Sequence, residues 1–423
     1  MTTVWPAPDP ITIAGTALGP EAVVGGRCRV HGVDLARALA FAGMLVAHFM
    51  ARHTDHPVPD AVRAFVDGRA MPLFVLLSGV SITLLAGHAR HPDRALLVRA
   101  AVFLPLGLAL QEWAVQIAII LQYYALFSLV AVGLRRLGDR ALLAGAVLVA
   151  GAAGVTAQEL APRWPSYPGW QGGDGIRPPW GLLANLTVNG YYPLLPALAF
   201  VLVGMWLGRR NLDDARLAAR LALVGVVLGL VGYVGGRAAG DRLGLDGVTT
   251  GADGLPALRA EWVGPVLATM GPDATLADVD DVLRDDPAAR RAQLEVMVRY
   301  ARERQPGFHL VRLLDAHGHS QMPAWVAGST GTACAALGGC VLLARRFRRT
   351  AAPLVALGQC SLTVYVVQAV VIRWTPSLDE TTMGRQALIT GAMLAGCTAF
   401  SWAWRRWFRR GPLEGLLHLL ARP

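Results

Sequence analysis

The stretch RVHGVDLARALAFAGMLVAHFM, residues 29–50, decides how the chain is read. Its apolar part, 33–51, is long enough to cross a hydrocarbon core of about 30 Å. It nevertheless carries Asp34, Arg37 and His48. Ionisable side chains are costly inside a membrane helix, so each of the three calls for a partner or a role. Arg37 and His48 are about three helical turns apart, which places them on nearly one face and about 16 Å apart along the axis. That spacing suits a ligand threaded along the helix, with an anionic end on the guanidinium and a reactive end at the imidazole. A plainer arrangement also satisfies the residues: Asp34 and Arg37 as an i, i+3 pair at the helix end, and His48 bonded to a backbone carbonyl.

Composition extends the membrane reading to the whole chain. Of 423 residues, 54% are hydrophobic and 16% charged, against about 25% charged in soluble globular chains. All 39 basic residues are Arg, set against 29 acidic ones for a formal net charge of +10. They sit in short clusters between apolar runs rather than along one polar face, which sets a nucleic-acid partner aside and points to membrane topology. Five Cys residues show no C-x-x-C spacing, so neither a disulfide framework nor a zinc site is supported. A secreted mini-protein and a cytosolic enzyme are both excluded.

Ten apolar segments follow: 33–51, 68–87, 96–112, 116–134, 141–157, 191–208, 217–235, 323–344, 354–372 and 386–404. The expectation is an all-α, polytopic integral membrane bundle of about ten transmembrane helices. With both termini on one side, the tails and loops of that side carry 21 Arg and the short opposite loops six. Excess Arg marks the cytoplasm, so N-in, C-in follows. Four regions result: a disordered cytoplasmic segment over 1–26, N-terminal transmembrane helices over 27–235, an extracytoplasmic loop or helical cap over 236–322, and C-terminal transmembrane helices with a cytoplasmic tail over 323–423. The external loop 158–190 holds Trp164, Tyr167, Trp170 and Trp180. Stacking on a sugar ring and sitting in the interfacial belt both fit them.

Candidate chemistry gathers at the external ends. DGRAMPLFVLLSGVSI, residues 67–82, opens the second span with Asp67 and Arg69, close to His48 if the first two spans form a hairpin. Glu112, beside Gln111, ends the third span on the same side, where a carboxylate can orient an imidazole. Gln122, Tyr123 and Tyr124 put polar tips into the fourth span, and Tyr365 and Gln368 share a face of the ninth at i, i+3. His53 and His56, in the first external loop, rival His48 as the base, and His319 in the HGHS stretch is a candidate for touching substrate. The signatures GxxxxGK[ST], GxSxG and HExxH are missing.

At this point the residues resemble a known family. RVHGVDLARALAFAGMLVAH is similar to the opening of the transmembrane acyltransferase superfamily, which includes bacterial glycan O-acetyltransferases and the heparan-α-glucosaminide N-acetyltransferase. Arg37 and His48 reproduce the Arg-to-His spacing of the bacterial O-acetyltransferases, LFVLLSG resembles their second-helix signature, and ILQYYALF is similar to the family's Leu-Gln segment. CSLTVYVVQAVV and RRGPLEGLLHLL resemble the YeiB-type membrane proteins. The resemblance implies transfer of an acetyl or short acyl group from cytosolic acetyl-CoA or another acyl-CoA to a hydroxyl or amino group of an extracytoplasmic glycan or glycoconjugate, in the plasma membrane of a bacterium and with no metal. His48 then becomes the catalytic base with Asp67 and Glu112 organising the external mouth. Arg37, Arg29 and Gln122 lie toward the CoA path, and Arg69, His53, His56 and His319 toward the acceptor. The partners are the lipid bilayer, acyl-CoA and the glycan, with no nucleic acid and a homodimer left open. A transporter of a small anionic metabolite, without covalent chemistry, is the alternative.

Overall fold

The computed structural model describes residues 30–50, 57–114, 117–156, 179–189, 192–244, 310–375 and 381–421. Among these residues every regular element is helical. The helices are α1 (His31–Phe49), α2 (Pro57–Val66), α3 (Ala70–His88), α4 (Pro92–Trp113), α5 (Leu121–Leu134), α6 (Asp139–Val155), α7 (Pro179–Ala184) and α8 (Leu194–Gly208). They continue with α9 (Ala215–Arg242), α10 (Pro323–Arg346), α11 (Ala352–Gln359), α12 (Ser361–Val371), α13 (Met383–Trp407) and α14 (Pro412–Leu420).

Each of the ten expected segments overlaps a helix. Six described helices are long and apolar enough to cross a bilayer, seven if α11 and α12 count as one broken span, while α5 and α8 are apolar but shorter. Helices α6 and α9 turn Val147, Leu148, Leu223, Val224 and Val227 outward, an apolar exterior that needs lipid rather than water around it.

Helix α1 sits at the centre, packed against α3, α10, α11 and α13. Glycines let the backbones approach where helix pairs run closest. At the α3–α8 crossing, a Cβ on Gly204 would collide with the carbonyl of Leu76 and one on Gly79 with that of Val201. Gly225 and Gly232 of α9 meet the α10 backbone in the same way.

The bundle end rich in arginine is tied by ion pairs between helix ends. Arg135 meets Asp93 at 2.6 Å, and Arg209 and Arg210 meet Asp139 at 3.0 and 2.7 Å. Trp407 and Phe408 are exposed beside Arg405 and Arg406, the residue mix of a membrane interface.

Three departures from the expected spans bear on function. The segment 217–235 runs on as helix to Arg242, into the stretch read from sequence as loop. The segment 116–134 is helical only from Leu121, and the described residues before it, Ile117 to Ile120, are buried outside any helix. Non-helical backbone at that depth must find partners inside the protein. Gln111 supplies two of them: its amide donates to the carbonyl of Ile117 and accepts from the N–H of Ile119, both at 2.9 Å. Tyr365 supplies a third, its hydroxyl accepting from the N–H of Ile120 at 3.0 Å.

The third departure splits the segment 354–372 at Cys360, where α11 and α12 meet at a 76° bend. The freed amides at the start of α12 are taken by Glu414 of α14, which accepts from the N–H groups of Leu362 and Thr363 at 2.7 and 3.2 Å and from the Thr363 hydroxyl at 2.7 Å. A carboxylate at a helix N-terminus answers both the open donors and the dipole. Glu414→Ala should lower stability by about 1–2 kcal/mol, read as a reduced melting temperature in nanodiscs. Gly204→Leu, which forces the α3–α8 backbones apart, should prevent recovery of folded protein by size-exclusion chromatography.

Candidate functional site

Two ends of α1 organise the site. At the arginine-rich end, the Asp34 carboxylate is 2% exposed and could not stay charged there without partners. Arg37 donates to it at 2.7 Å, and Gln359 of α11 donates at 3.2 Å. Gln359 in turn accepts from Arg405 of α13. The i, i+3 pair foreseen from sequence therefore exists, but its second guanidinium nitrogen continues inward and donates to Ser81 of α3 at 2.8 Å.

Arg37 and Ser81 line a cavity between α1, α3, α4, α5 and α12. Arg99, Tyr124, Ser361 and Tyr365 complete its polar wall, and Phe74, Leu77 and Phe103 part of its apolar wall. The free space is about 80 Å³, enough for a group the size of a phosphate or a thin chain and not for a nucleotide. Arg99 lies over the Phe103 ring at 4.8 Å. Its Nε and the Tyr124 hydroxyl are buried without a hydrogen-bond partner among the described residues. Buried polar groups left open in this way cost free energy, and an anionic or carbonyl-bearing guest would satisfy them. The donors present, two guanidiniums with tyrosine and serine hydroxyls, suit an anionic or carbonyl-bearing group.

At the other end, His48 stands in the last turn of α1, half-buried. Its Nδ1 is in hydrogen-bond contact with the side-chain amide of Gln368 on α12, and Gln368 is wholly buried. Tyr365 and Gln368 are one turn apart on α12, so the residue lining the cavity and the residue holding His48 are separated by about 4.5 Å of helix rise. Arg63 of α2, 5% exposed, caps the same turn of α1 by donating to the carbonyls of Ala47 at 3.0 Å and Met50 at 3.2 Å. It pairs with Asp67 at 3.2 Å, and Asp67 lies 3.8 Å from Nε2 of His319. His319 adopts a left-handed φ of 63° and is flanked by Tyr192 and Trp325, with ring centroids 6.2 and 6.0 Å away. A positive φ at a non-glycine residue is a strained choice that cohesive packing must hold.

The residues named from sequence thus divide. Asp67 and His319 come together, and Arg63 links them to the turn that carries His48. Arg69 stacks on Tyr233 at 4.1 Å and caps α2 through the Phe65 carbonyl at 2.7 Å. Glu112 is exposed at the end of α4, and the group at the His48 ring is Gln368. Gln122 is buried where α4 and α5 touch, its carbonyl without a partner among the described residues, and the cavity is lined instead by Leu121 and Tyr124. Arg29, His53 and His56 lie outside the described residues, as do Trp164, Tyr167 and Trp170. Among the described residues, no three His, Cys, Asp or Glu side chains gather as metal ligands. Arg99 and Arg63 were missed as site residues. Arg99 sits inside its expected span, 96–112, and an intramembrane arginine is a site signal in itself, yet it reads first as one more topology arginine.

A cavity with charged and polar groups in its wall, and a histidine held at the other end of the same central helix, mark a polytopic membrane protein with polar groups inside its bundle. Comparison with known families agrees with that class. Residues 29–233 match the family described as heparan-alpha-glucosaminide N-acetyltransferase, catalytic, and residues 313–422 match the family described as protein of unknown function (DUF418). Over 29–233 the chain is thus similar to an acetyltransferase-type family and over 313–422 to a YeiB-type one, and the resemblance read from sequence holds in both regions. No curated protein matches it.

Breaking the Asp34 pair tests this architecture directly. Asp34→Ala should cost about 3 kcal/mol, the low end for an orphaned buried charge because the Arg37 side chain is 20% exposed. The check is the melting temperature of the variant beside wild type in nanodiscs.

Proposed function

We propose that the protein transfers an acetyl or other short acyl group from cytosolic acyl-CoA to a hydroxyl or amino group of an extracytoplasmic, carbohydrate-containing acceptor. The carrying observation is the arrangement along α1: a guanidinium-lined cavity at Arg37 and, about 16 Å away by helix rise, a histidine held by Gln368. Arg37, Arg99 and Tyr124 would hold the anionic and amide parts of acyl-CoA. Bound acyl-CoA supplies a thioester, an acyl group already activated toward attack. His48 takes the proton from the acceptor hydroxyl or amine as its heavy atom becomes the nucleophile, and returns a proton to the leaving sulfur. Asp67, Arg69 and His319 shape the mouth through which the acceptor enters, with Glu112, His53 and His56 on the same external side.

The 21-to-six distribution of arginines supports N-in, C-in topology, with acyl-CoA reaching the cavity from the cytoplasm. Basic usage confined to Arg favours a bacterial plasma membrane. The broken helix at Cys360 favours the second reading, a transporter of a small anionic metabolite, because half-helix N-termini hold anionic substrates in such proteins. Glu414 already occupies those amides, which weighs toward the acyltransferase.

Purified protein in nanodiscs, given acetyl-CoA and a pool of glycans and amino sugars, should consume acetyl-CoA. His48→Ala should lower kcat by about a hundredfold or more. Arg99→Met should raise the KM for acetyl-CoA by about tenfold, as expected from one lost hydrogen bond to a charged group. Unchanged turnover in His48→Ala overturns the role of His48, and absence of both turnover and acetyl-CoA binding favours the transporter.

A further inference from the structure

We infer that Gln368 is a positioning residue for His48, fixing which imidazole nitrogen carries the proton, and that the C-terminal region of unknown function thereby completes the site of the N-terminal one. The inference takes its contact from the structure and rests on the acyltransferase reading for which of the two amide orientations is the working one. A neutral imidazole is a donor at one nitrogen and an acceptor at the other, and the partner at Nδ1 decides which. Among the described residues that partner is the Gln368 side-chain amide, which stands with its nitrogen at Nδ1.

The amide is 0% exposed, so water does not compete for it. Its Oε1 has no hydrogen-bond partner among the described residues, although it is buried. An orphaned carbonyl in such a place is costly. Half a turn about the last side-chain bond exchanges the amide's nitrogen and oxygen while leaving the shape of the side chain nearly unchanged. The carbonyl then accepts from Nδ1–H of His48 and Nε2 of the imidazole keeps its lone pair for a proton, while the amide nitrogen takes the place the carbonyl leaves. This is the orientation a base requires. The reverse orientation would leave Nε2 protonated and unable to accept one.

The surroundings keep His48 where Gln368 can act on it. Arg63 fixes the α1 turn from the α2 side through the carbonyls of Ala47 and Met50. Tyr365, one turn before Gln368, is anchored by the N–H of Ile120. The α12 face is thus set against both the cavity and the imidazole by side chains that are themselves held. Gln368 lies within the 313–422 match and His48 within the 29–233 match, so neither region holds the histidine in one tautomer alone.

The experiment uses the full chain in nanodiscs with ¹⁵N-labelled histidine, reading the tautomer of His48 by solid-state NMR after assigning its signals by difference from His48→Ala. Wild type should show Nδ1 protonated and Nε2 bare. Gln368→Met, close in volume and without polar atoms, should give a mixture of tautomers. It should also lower kcat for acetyl-CoA consumption by about tenfold to a hundredfold with the KM for acetyl-CoA unchanged. Gln368→Glu, which can only accept from Nδ1–H when ionised, should restore the single tautomer and most of the rate. A protonated Nε2 in wild type, or a tautomer ratio unmoved in Gln368→Met, overturns the inference. If Gln368→Met does not fold, the Gln368→Glu spectrum decides: loss of the Nδ1–H form there overturns it as well. Should wild type turn over no acyl-CoA, the acyltransferase reading falls while the NMR result still decides whether Gln368 sets the tautomer.

Discussion

The buried carboxylate of Asp34 is the constraint from which the rest of the structure follows. A charge at 2% exposure in an apolar bundle has to be matched or neutralised. Arg37 and Gln359 match it, and that requirement brings α1, α11 and α13 into one layer. Close approach is demanded too, since a Cβ on Gly358 would collide with the Asp34 carbonyl. Satisfying the carboxylate also spends only part of the Arg37 guanidinium, leaving the remainder beside Ser81 at the cavity wall. The same residue thus closes the structural pair with Asp34 and lines the cavity.

The interior tolerates irregular backbone only where side chains take over its hydrogen bonds. Gln111 and Tyr365 do so for the stretch before α5, and Glu414 for the break between α11 and α12. Those irregular places border the cavity: Ile120, Leu121, Ser361 and Leu362 all line it. The polar residues that hold these places open come from both matched regions, which is why the two regions form one unit around α1.

Much of this was legible in the sequence. Apolar run lengths located the helices, because spanning hydrocarbon demands an uninterrupted hydrogen-bonded segment of fixed length. Intramembrane ionisable residues singled out Asp34, Arg37 and His48, and the i, i+3 spacing of Tyr365 and Gln368 marked a shared face. Arg99 and Arg63 were not separable from topology arginines, since a positive charge near a helix end reads the same whether it faces a headgroup or a cavity. The exposure of Glu112 and the burial of Gln111 beside it were equally out of reach, because adjacent helical positions differ by about 100° and only the neighbouring helices say which of them is inside.

The sequence by itself determined that this is an all-helical membrane protein, where its helices lie, and that its first helix carries a charge pair and a histidine about three turns apart. Each depends on local composition and periodicity, which survive without knowledge of neighbours. Tertiary structure alone decided that the ninth span breaks at Cys360, that Glu414 fills the break, that Arg99 and Tyr124 join Arg37 around one cavity, and that the partner of His48 is Gln368, 320 residues along the chain. Those outcomes arise from which helices touch, and in a bundle whose apolar faces are nearly interchangeable, contact is chosen by the few polar groups that must be satisfied together.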